Sequence, residues 1–205
     1  LLHVFEAYTE LYRVTKEKKV ANQIRFMMEI IKDKVFNKEI GRQEVFFDKT
    51  WNTLIDLYSY GHDIETAWLT DRGLEILDDE AYTNMLSPIT EIITENIYNR
   101  AYIDHSLVNE SENGVVDTTR VWWVQAEAVV GFLNGYQKQG DKKFLDAAED
   151  IWNYIKKYFI DKRNGSEWFW SLKEDHTPDK KPIVEPWKCP YHNGRMCFEV
   201  LRRMK

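Results

Sequence analysis

The 205-residue sequence lacks the features of a membrane, secreted or nucleic-acid-binding protein. It has no run of about 18 uncharged apolar residues, and its first residues show neither a basic lead nor a small-residue cleavage site. Its two cysteines, Cys189 and Cys197, are too few for a disulfide framework and lack metal-finger spacing. The net charge is −6 and no basic patch is concentrated. We therefore expect a cytoplasmic protein that binds neither membranes nor nucleic acid.

Aromatic residues are abundant in this chain. It contains 8 Trp and 11 Tyr but only 5 His. Trp and Tyr beside carboxylates are typical of carbohydrate sites, because the ring faces match the C–H patches of a sugar while the acids bind its hydroxyls. The composition thus favours a sugar-binding protein, although most of these rings are expected in the core.

Helical periodicity dominates the chain. The segments in which apolar residues recur every three or four positions are Leu1–Val14, Asn22–Asn37, Asp63–Leu77, Glu80–Asp104, Arg120–Tyr136, Lys142–Phe159 and Pro190–Met204. Small strands or hairpins are predicted at Glu44–Phe47, Val115–Val116 and Glu167–Leu172. Because no linker divides the chain, we predict one all-α domain over residues 1–205. The helical periodicity is already present at Leu1, which is not an initiator methionine, so we expect further sequence before it.

An internal repeat relates four of the predicted helix starts. Their leading residues His3, His62, Val124 and His192 are 59, 62 and 68 residues apart, and one further helix lies between successive members. The unit is therefore a helical hairpin of about 60 residues. Such hairpins cannot bury both apolar faces alone, so they must stack side by side or close into a ring.

Closure would bring titratable side chains from separate repeats to one mouth. Residues three apart share a helix face, so His-x-x-Glu places an imidazole and a carboxylate together. The residues expected around one cavity are His3, His62, His192, Glu65 and Glu127. Two imidazoles on opposite sides could remove a proton from one face of a carbon and return it to the other. The neighbouring Glu would hold the imidazole tautomer, and nearby Trp residues would hold the sugar.

Other interpretations of these residues remain open. Three histidines could bind zinc, although the chain contains no HExxH and its motif is not the Glu-x-x-His of carboxylate-bridged bundles. Glu65 and Glu127 could flank the bond of a glycoside hydrolase. Arg195, the repeat counterpart of Glu65, could simply pair with an acid across a helix interface, and His105 and His176 fall in polar loops where we expect exposure.

Specific motifs resemble those of the cellobiose 2-epimerases in the N-acylglucosamine 2-epimerase superfamily. They are Leu2-His-Val-Phe-Glu-Ala-Tyr-Thr9, Gly61-His-Asp-Ile-Glu65, Val121-Trp-Trp-Val-Gln-Ala-Glu-Ala128 and Pro190-Tyr-His-Asn-Gly-Arg195. The resemblance covers essentially the whole chain in one register. It implies an (α/α)6 barrel of twelve helices, of which residues 1–205 are the C-terminal part of about seven helices. The barrel would act as a monomer or homodimer.

The resemblance also implies roles for individual residues. His62 and His192 match general acid/base histidines that exchange the C2 proton of a ring-opened sugar through a cis-enediolate, and His192 is our choice for ring opening. His3 matches a third active-site histidine and Glu65 the acid beside His62. The positions that match substrate-lining residues are Trp68, Trp123, Glu127 and Trp187.

The implied reaction interconverts glucose and mannose at the reducing end of a β-1,4-linked disaccharide such as cellobiose, without a metal or other cofactor. An aldose–ketose isomerase and an N-acylglucosamine 2-epimerase of the same superfamily remain alternatives. The family's arginine that stabilises enediolate charge has no counterpart here, so we expect residues 1–205 alone to be inactive or nearly so.

Overall fold

The computed structural model describes residues 1–204, and its framework is helical. The helices are α1 (Leu2–Thr15), α2 (Lys18–Ile30), α3 (Tyr60–Leu77), α4 (Glu80–Ala101), α5 (Trp122–Gln139), α6 (Lys142–Tyr154) and α7 (Tyr191–Arg203). The α2 and α6 helices continue into single π-helical turns at Ile31–Val35 and Ile155–Phe159. The predicted all-α class is confirmed.

Short strands occupy the connections between helices. They are β1 (Phe36–Asn37), β2 (Arg42–Gln43), β3 (Leu57–Ser59), β4 (Tyr102–Ile103), β5 (Ser106–Leu107), β6 (Glu110–Glu112), β7 (Val115–Asp117), β8 (Arg120–Val121) and β9 (Ser171–Leu172). All pairs are antiparallel: β1 with β2, β4 with β5, β8 with β9, and β6 between β3 and β7.

The helices form two layers. Consecutive odd-numbered helices α1, α3, α5 and α7 pack side by side, and α2, α4 and α6 pack on α1, α3 and α5 as the outer arms of three hairpins. The burial pattern follows from this order. The α3 and α5 helices, between neighbours on both sides and an outer helix, are buried almost all round, whereas α2 and α6 bury one apolar stripe.

Two glycines allow the central helices to approach closely. A Cβ at Gly131 of α5 would collide with the Ile64 side chain of α3. A Cβ at Gly61 would lie 2.5 Å from Cη2 of Trp123. Both contacts would be far closer than van der Waals distance. Glycine at these two positions therefore allows the observed spacing of α3 and α5.

Several expected boundaries are corrected by the structure. The second helix starts at Lys18, four residues before the expected Asn22, and the third starts at Tyr60, which places His62 in its first turn. A strand over Glu44–Phe47 is wrong, since Phe47 makes only an isolated bridge to Thr53. Apolar residues there line a cavity rather than pair in a ladder.

Two other expectations about the connections need correction. The segment Glu167–Leu172 is strand only at Ser171–Leu172, preceded by a bridge between Ile160 and Trp168. His176 is half-buried rather than exposed, because it stacks on Tyr158 with 4.6 Å between ring centroids. No helix within residues 1–204 combines the length and apolarity needed to span a bilayer.

Candidate active site

The first turns of α1, α3, α5 and α7 converge at one end of the inner layer. The His3 and His192 rings have centroids 6.5 Å apart. Trp123 lies between the imidazoles of His62 and His192. Its ring centroid is 4.9 Å from that of His62 and 5.3 Å from that of His192. The structure thus brings the three histidines together, as the repeat predicted.

His192 is anchored by a buried carboxylate. Its Nδ1 lies 2.7 Å from Oε1 of Glu127, which is only 1% exposed. The other oxygen of Glu127 accepts a hydrogen bond of 2.9 Å from the indole N–H of Trp68. A carboxylate can only accept, so Nδ1 carries the hydrogen and the opposite ring nitrogen, Nε2, is left as the basic one.

His62 is anchored differently. Its Nδ1 is 2.7 Å from the Ser59 hydroxyl, at the end of β3. The protein atoms packed around it, followed by the neighbouring imidazoles of His3 and His192, lower the pKa of His62 to about 4. His62 is therefore neutral at pH 7.

The acid expected beside His62 lies elsewhere. Glu65 is fully buried one turn deeper and is bound by the guanidinium of Arg195, not by an imidazole. Of the two His-x-x-Glu pairs, only His3 and Glu6 come near contact, at 3.5 Å. The expectation that Glu65 lies beside His62 is corrected: Glu65 is bound instead by the guanidinium of Arg195 on α7.

Burial and mutual repulsion set the charges of these acids. Burial, and then the charge of Glu127, raise the pKa of Glu65 above its ordinary value. For Glu127 burial acts in the same direction, but hydrogen bonding from His192 and the charge of Arg195 outweigh it and lower its pKa. Glu127 is thus the ionised partner of His192.

The same residues define the one potential metal group within residues 1–204. Ligand atoms of Glu65, Glu127 and His192 lie within 4.8 Å of one another. The guanidinium of Arg195, however, already binds both carboxylates. A divalent cation there would meet that fixed positive charge, so this donor set fits an arginine rather than a metal. The three histidines do not form a compact ligand group.

The start of α7 is held by a further buried ion pair. Lys188 is fully buried and its Nζ lies 2.5 Å from Glu167 and 2.9 Å from the Ile183 carbonyl oxygen. Glu167 also accepts a 3.0 Å hydrogen bond from Asn193, which follows His192. This network fixes the first turn of α7.

A cavity of about 410 Å³ adjoins His3 and His62. Phe47 and Trp51 line its other side. Gln43 of β2 secures this wall: its side-chain amide donates to the His62 carbonyl oxygen at 3.2 Å and to Asp63 at 3.1 Å. The pocket is therefore bounded by the helix ends and by the segment after β2.

The family model for N-acylglucosamine 2-epimerase (GlcNAc 2-epimerase) matches residues 2–194. The chain belongs to this family. The resemblance drawn from the motifs is thus confirmed.

Individual relatives agree with the family. The cellobiose 2-epimerase of Ruminococcus albus is 49% identical over 204 residues, covering 99% of this chain and 52% of that protein. The cellobiose 2-epimerase of Dictyoglomus turgidum is 46% identical, covering 100% of this chain and 52% of its own length. The chain therefore spans about half the length of these curated relatives.

Solved structures show the same architecture. A sugar epimerase from a ruminal bacterium matches with a TM-score of 0.97 at 49% identity, covering 98% of this chain and 52% of that one. A D-mannose isomerase matches with a TM-score of 0.83 at 19% identity, which shows the fold alone. The side-by-side packing of the helical hairpins in this chain is consistent with the helical toroid of its relatives in the N-acylglucosamine 2-epimerase family.

The tryptophans of this epimerase-family chain occupy different environments. Trp123 is half-buried between two imidazoles, whereas Trp68 is only 2% exposed and lies behind Glu127. Trp187 is 84% exposed, outside the histidine cluster's described contacts. Trp122 is buried and tilts against Trp170 with centroids 4.8 Å apart. Trp123 thus lies against two of the imidazoles, and the substrate roles of Trp68, Trp123 and Trp187 stay predictions.

One supporting residue escaped sequence reasoning, and a second was only partly anticipated. Ser59 precedes α3 and is three residues from His62, a spacing that could have been noticed as a polar residue at a helix start. Arg195 was recognised only as an acid-pairing residue, but it binds carboxylates from three helices. Its position as the odd member of the four-fold repeat was the available signal.

Proposed function

We propose that the full-length protein to which these residues belong is a sugar 2-epimerase. It inverts C2 of the reducing-end glucose or mannose unit of a β-1,4-linked disaccharide, with cellobiose converted to glucosyl-mannose. The observation that carries this proposal is the position of His62 and His192 on either side of Trp123, each with Nδ1 anchored and Nε2 unbound.

The chemistry needs one neutral and one protonated imidazole. After ring opening, the neutral imidazole takes the C2 proton, and the electron pair moves into a cis-enediolate with the carbonyl oxygen. The second, protonated imidazole then delivers a proton to the opposite face of C2. Because its pKa is lowered to about 4, His62 is neutral at pH 7 and can therefore accept a proton. The anionic Glu127 compensates a proton carried by His192. The reverse reaction exchanges the two roles.

Sugar binding would combine stacking with charge. The indole face of Trp123 lies between the two proton carriers, where it can pack on the C–H face of the substrate. His3, 6.5 Å from His192, can hydrogen-bond a substrate hydroxyl from the third side. The names of the R. albus and D. turgidum relatives support a disaccharide substrate over a free hexosamine.

The geometry argues against the hydrolase alternative. Glu65 and Glu127 are both bound by Arg195 and both are buried, so neither is free to approach a glycosidic bond. A ketose-forming isomerase would use the same histidines and is separated by its product.

The test incubates the full-length protein with cellobiose in D2O after EDTA treatment. We expect glucosyl-mannose carrying one deuterium at C2. Release of glucose would instead indicate a hydrolase, and a keto-disaccharide would indicate an isomerase. Product that forms only after zinc is restored, or no product, would reject the proposed mechanism.

A further inference from the structure

Four residues one turn below the mouth occupy equivalent positions of the repeat. Glu6, Glu65, Glu127 and Arg195 each follow the leading repeat residue by three. They come from α1, α3, α5 and α7, so every inner helix contributes one charged group to the same layer. Three are acids and only the last is a base.

Arg195 binds all three acids with two of its nitrogens. Nη1 donates to Glu6 at 2.5 Å, and Nη2 donates to Glu127 at 2.8 Å and also to Glu65. Its planar group also lies over the Trp68 ring, 5.0 Å from the centroid, and over the Tyr191 ring at 4.5 Å. The guanidinium is thus held by three carboxylates and by contacts with two aromatic rings.

We propose that Arg195 is a positioning residue, which keeps Glu127 anionic and thereby holds His192 in the tautomer with hydrogen on Nδ1. The catalytic meaning of this tautomer rests on the proposed function. The contact itself does not: Oε1 of Glu127 is shared between Arg195 and His192, at 2.8 and 2.7 Å.

The electrostatic need for the arginine is visible in the layer. Glu65 and Glu127 are buried side by side, so in the absence of a cation they could not both remain ionised. Burial opposes the charge of Arg195 as well, but the carboxylates of Glu127, Glu65 and Glu6 outweigh it and raise the pKa of the guanidinium. The guanidinium is therefore charged at pH 7.

Loss of the cation would reverse the hydrogen bond to His192. A protonated Glu127 can donate to Nδ1, which moves the ring hydrogen to Nε2. A ring with hydrogen on Nε2 cannot accept the C2 proton at that atom. Arg195 thus acts on the proton carrier through Glu127, without touching the reacting carbon.

The experiment uses Arg195→Met in the full-length protein, with Arg202→Met as the control. Arg202 lies on the same helix and pairs with Glu199 at 2.8 Å. Arg195→Met is expected to lower kcat about 100-fold with little change in KM, and to move the acid limb of the kcat profile upward by about one pH unit or more. Added guanidinium ion should restore part of kcat. Arg202→Met should match the wild type in all three measurements.

Spectra of ¹⁵N-labelled histidine give a second readout that needs no activity. The wild type should show hydrogen on Nδ1 of His192, and Arg195→Met should show it on Nε2. A folded variant that keeps both the wild-type tautomer and the wild-type acid limb would overturn the proposal. If wild-type protein exchanges no C2 proton, the proposed function fails, but these spectra still decide the role of Arg195.

A second variant covers the case in which Arg195→Met does not fold. Glu65→Gln with Arg195→Met removes one buried carboxylate together with the cation, so the layer loses its worst repulsion. Relative to Glu65→Gln alone, this double variant should show the acid limb of its kcat profile at a higher pH. An identical limb in the two proteins would reject the role assigned to Arg195.

Discussion

The α3 and α7 flanks of the histidine cluster hold the same side chain by different means. On the α7 flank, His192 is tied to a buried, ionised carboxylate that is itself held by an arginine and an indole. On the α3 flank, His62 has only a neutral hydroxyl as the partner of its Nδ1. His192 therefore has an anionic hydrogen-bond partner, whereas His62 does not. Two histidines on equivalent repeats are thus held in different electrostatic environments.

The strongest test of this comparison removes each imidazole in turn. His62→Ala and His192→Ala in the full-length protein should each lower kcat by about 10²- to 10⁴-fold or more, because each eliminates one proton carrier. Epimerisation and C2 deuterium exchange are measured together. The two variants should differ in which epimer, glucose or mannose, still exchanges its C2 proton.

A matched control is His105→Ala. His105 is exposed and pairs with Asp150 at 2.7 Å, away from the inner helix ends. It should retain wild-type turnover. Equal losses of kcat in the His62, His192 and His105 variants, or near wild-type rates for His62→Ala, would contradict the assigned roles.

The next test compares the two anchors. Glu127→Gln should lower kcat by about 10²-fold or more, since the amide cannot balance the charge of the imidazolium and can present the wrong hydrogen-bonding group. Ser59→Ala should cost about tenfold or less, as expected for one neutral hydrogen bond. Steady-state rates across pH measure both. If Ser59→Ala proved the more damaging, the difference between the flanks would be reversed.

A smaller effect is expected from substituting Gly61, which precedes His62 on α3 and lies against Trp123. In Gly61→Ala the new Cβ would lie 2.5 Å from Cη2 of Trp123, so the indole must move. We expect lower activity and a loss of stability of about 1–3 kcal/mol. Gly194→Ala, in the first turn of α7, has no heavy atom within 4 Å of the added Cβ and should be neutral or slightly stabilising. Thermal melts and rates of both variants give the comparison; equal melting temperatures would show that the indole has room.

The smallest effect is the pH dependence of stability from His62. Its pKa is about 4 in the folded chain, against an ordinary value of about 6.5 when unfolded. Between these values the unfolded chain binds the proton more tightly, so the contribution of His62 to stability is complete above about pH 6.5 and declines as the pH falls towards 4. The melting temperature of His62→Gln should therefore decline less between pH 7 and 5 than that of the wild type. Parallel declines would show that the ring titrates normally.

Part of the site could be predicted because the repeat is visible in the amino-acid sequence. The positions of His3, His62 and His192 at equivalent places of the repeat implied that helix starts from separate hairpins meet, and the structure brings those rings together. The acid partner of each histidine could not be predicted in the same way. A spacing of three shows that His62 and Glu65 share a helix face, but whether they bond depends on which neighbouring helix presents a stronger partner.

Sequence alone determined the helical class, the hairpin repeat and the family, because apolar periodicity and motif spacing are local properties that survive without coordinates. Only the tertiary structure decided that Glu127 binds His192 and that Arg195 binds three acids. The physical reason is that a buried charge pairs with the partner that packing places nearest, and the partners of His192 and Arg195 lie 65 to 189 positions away in the chain.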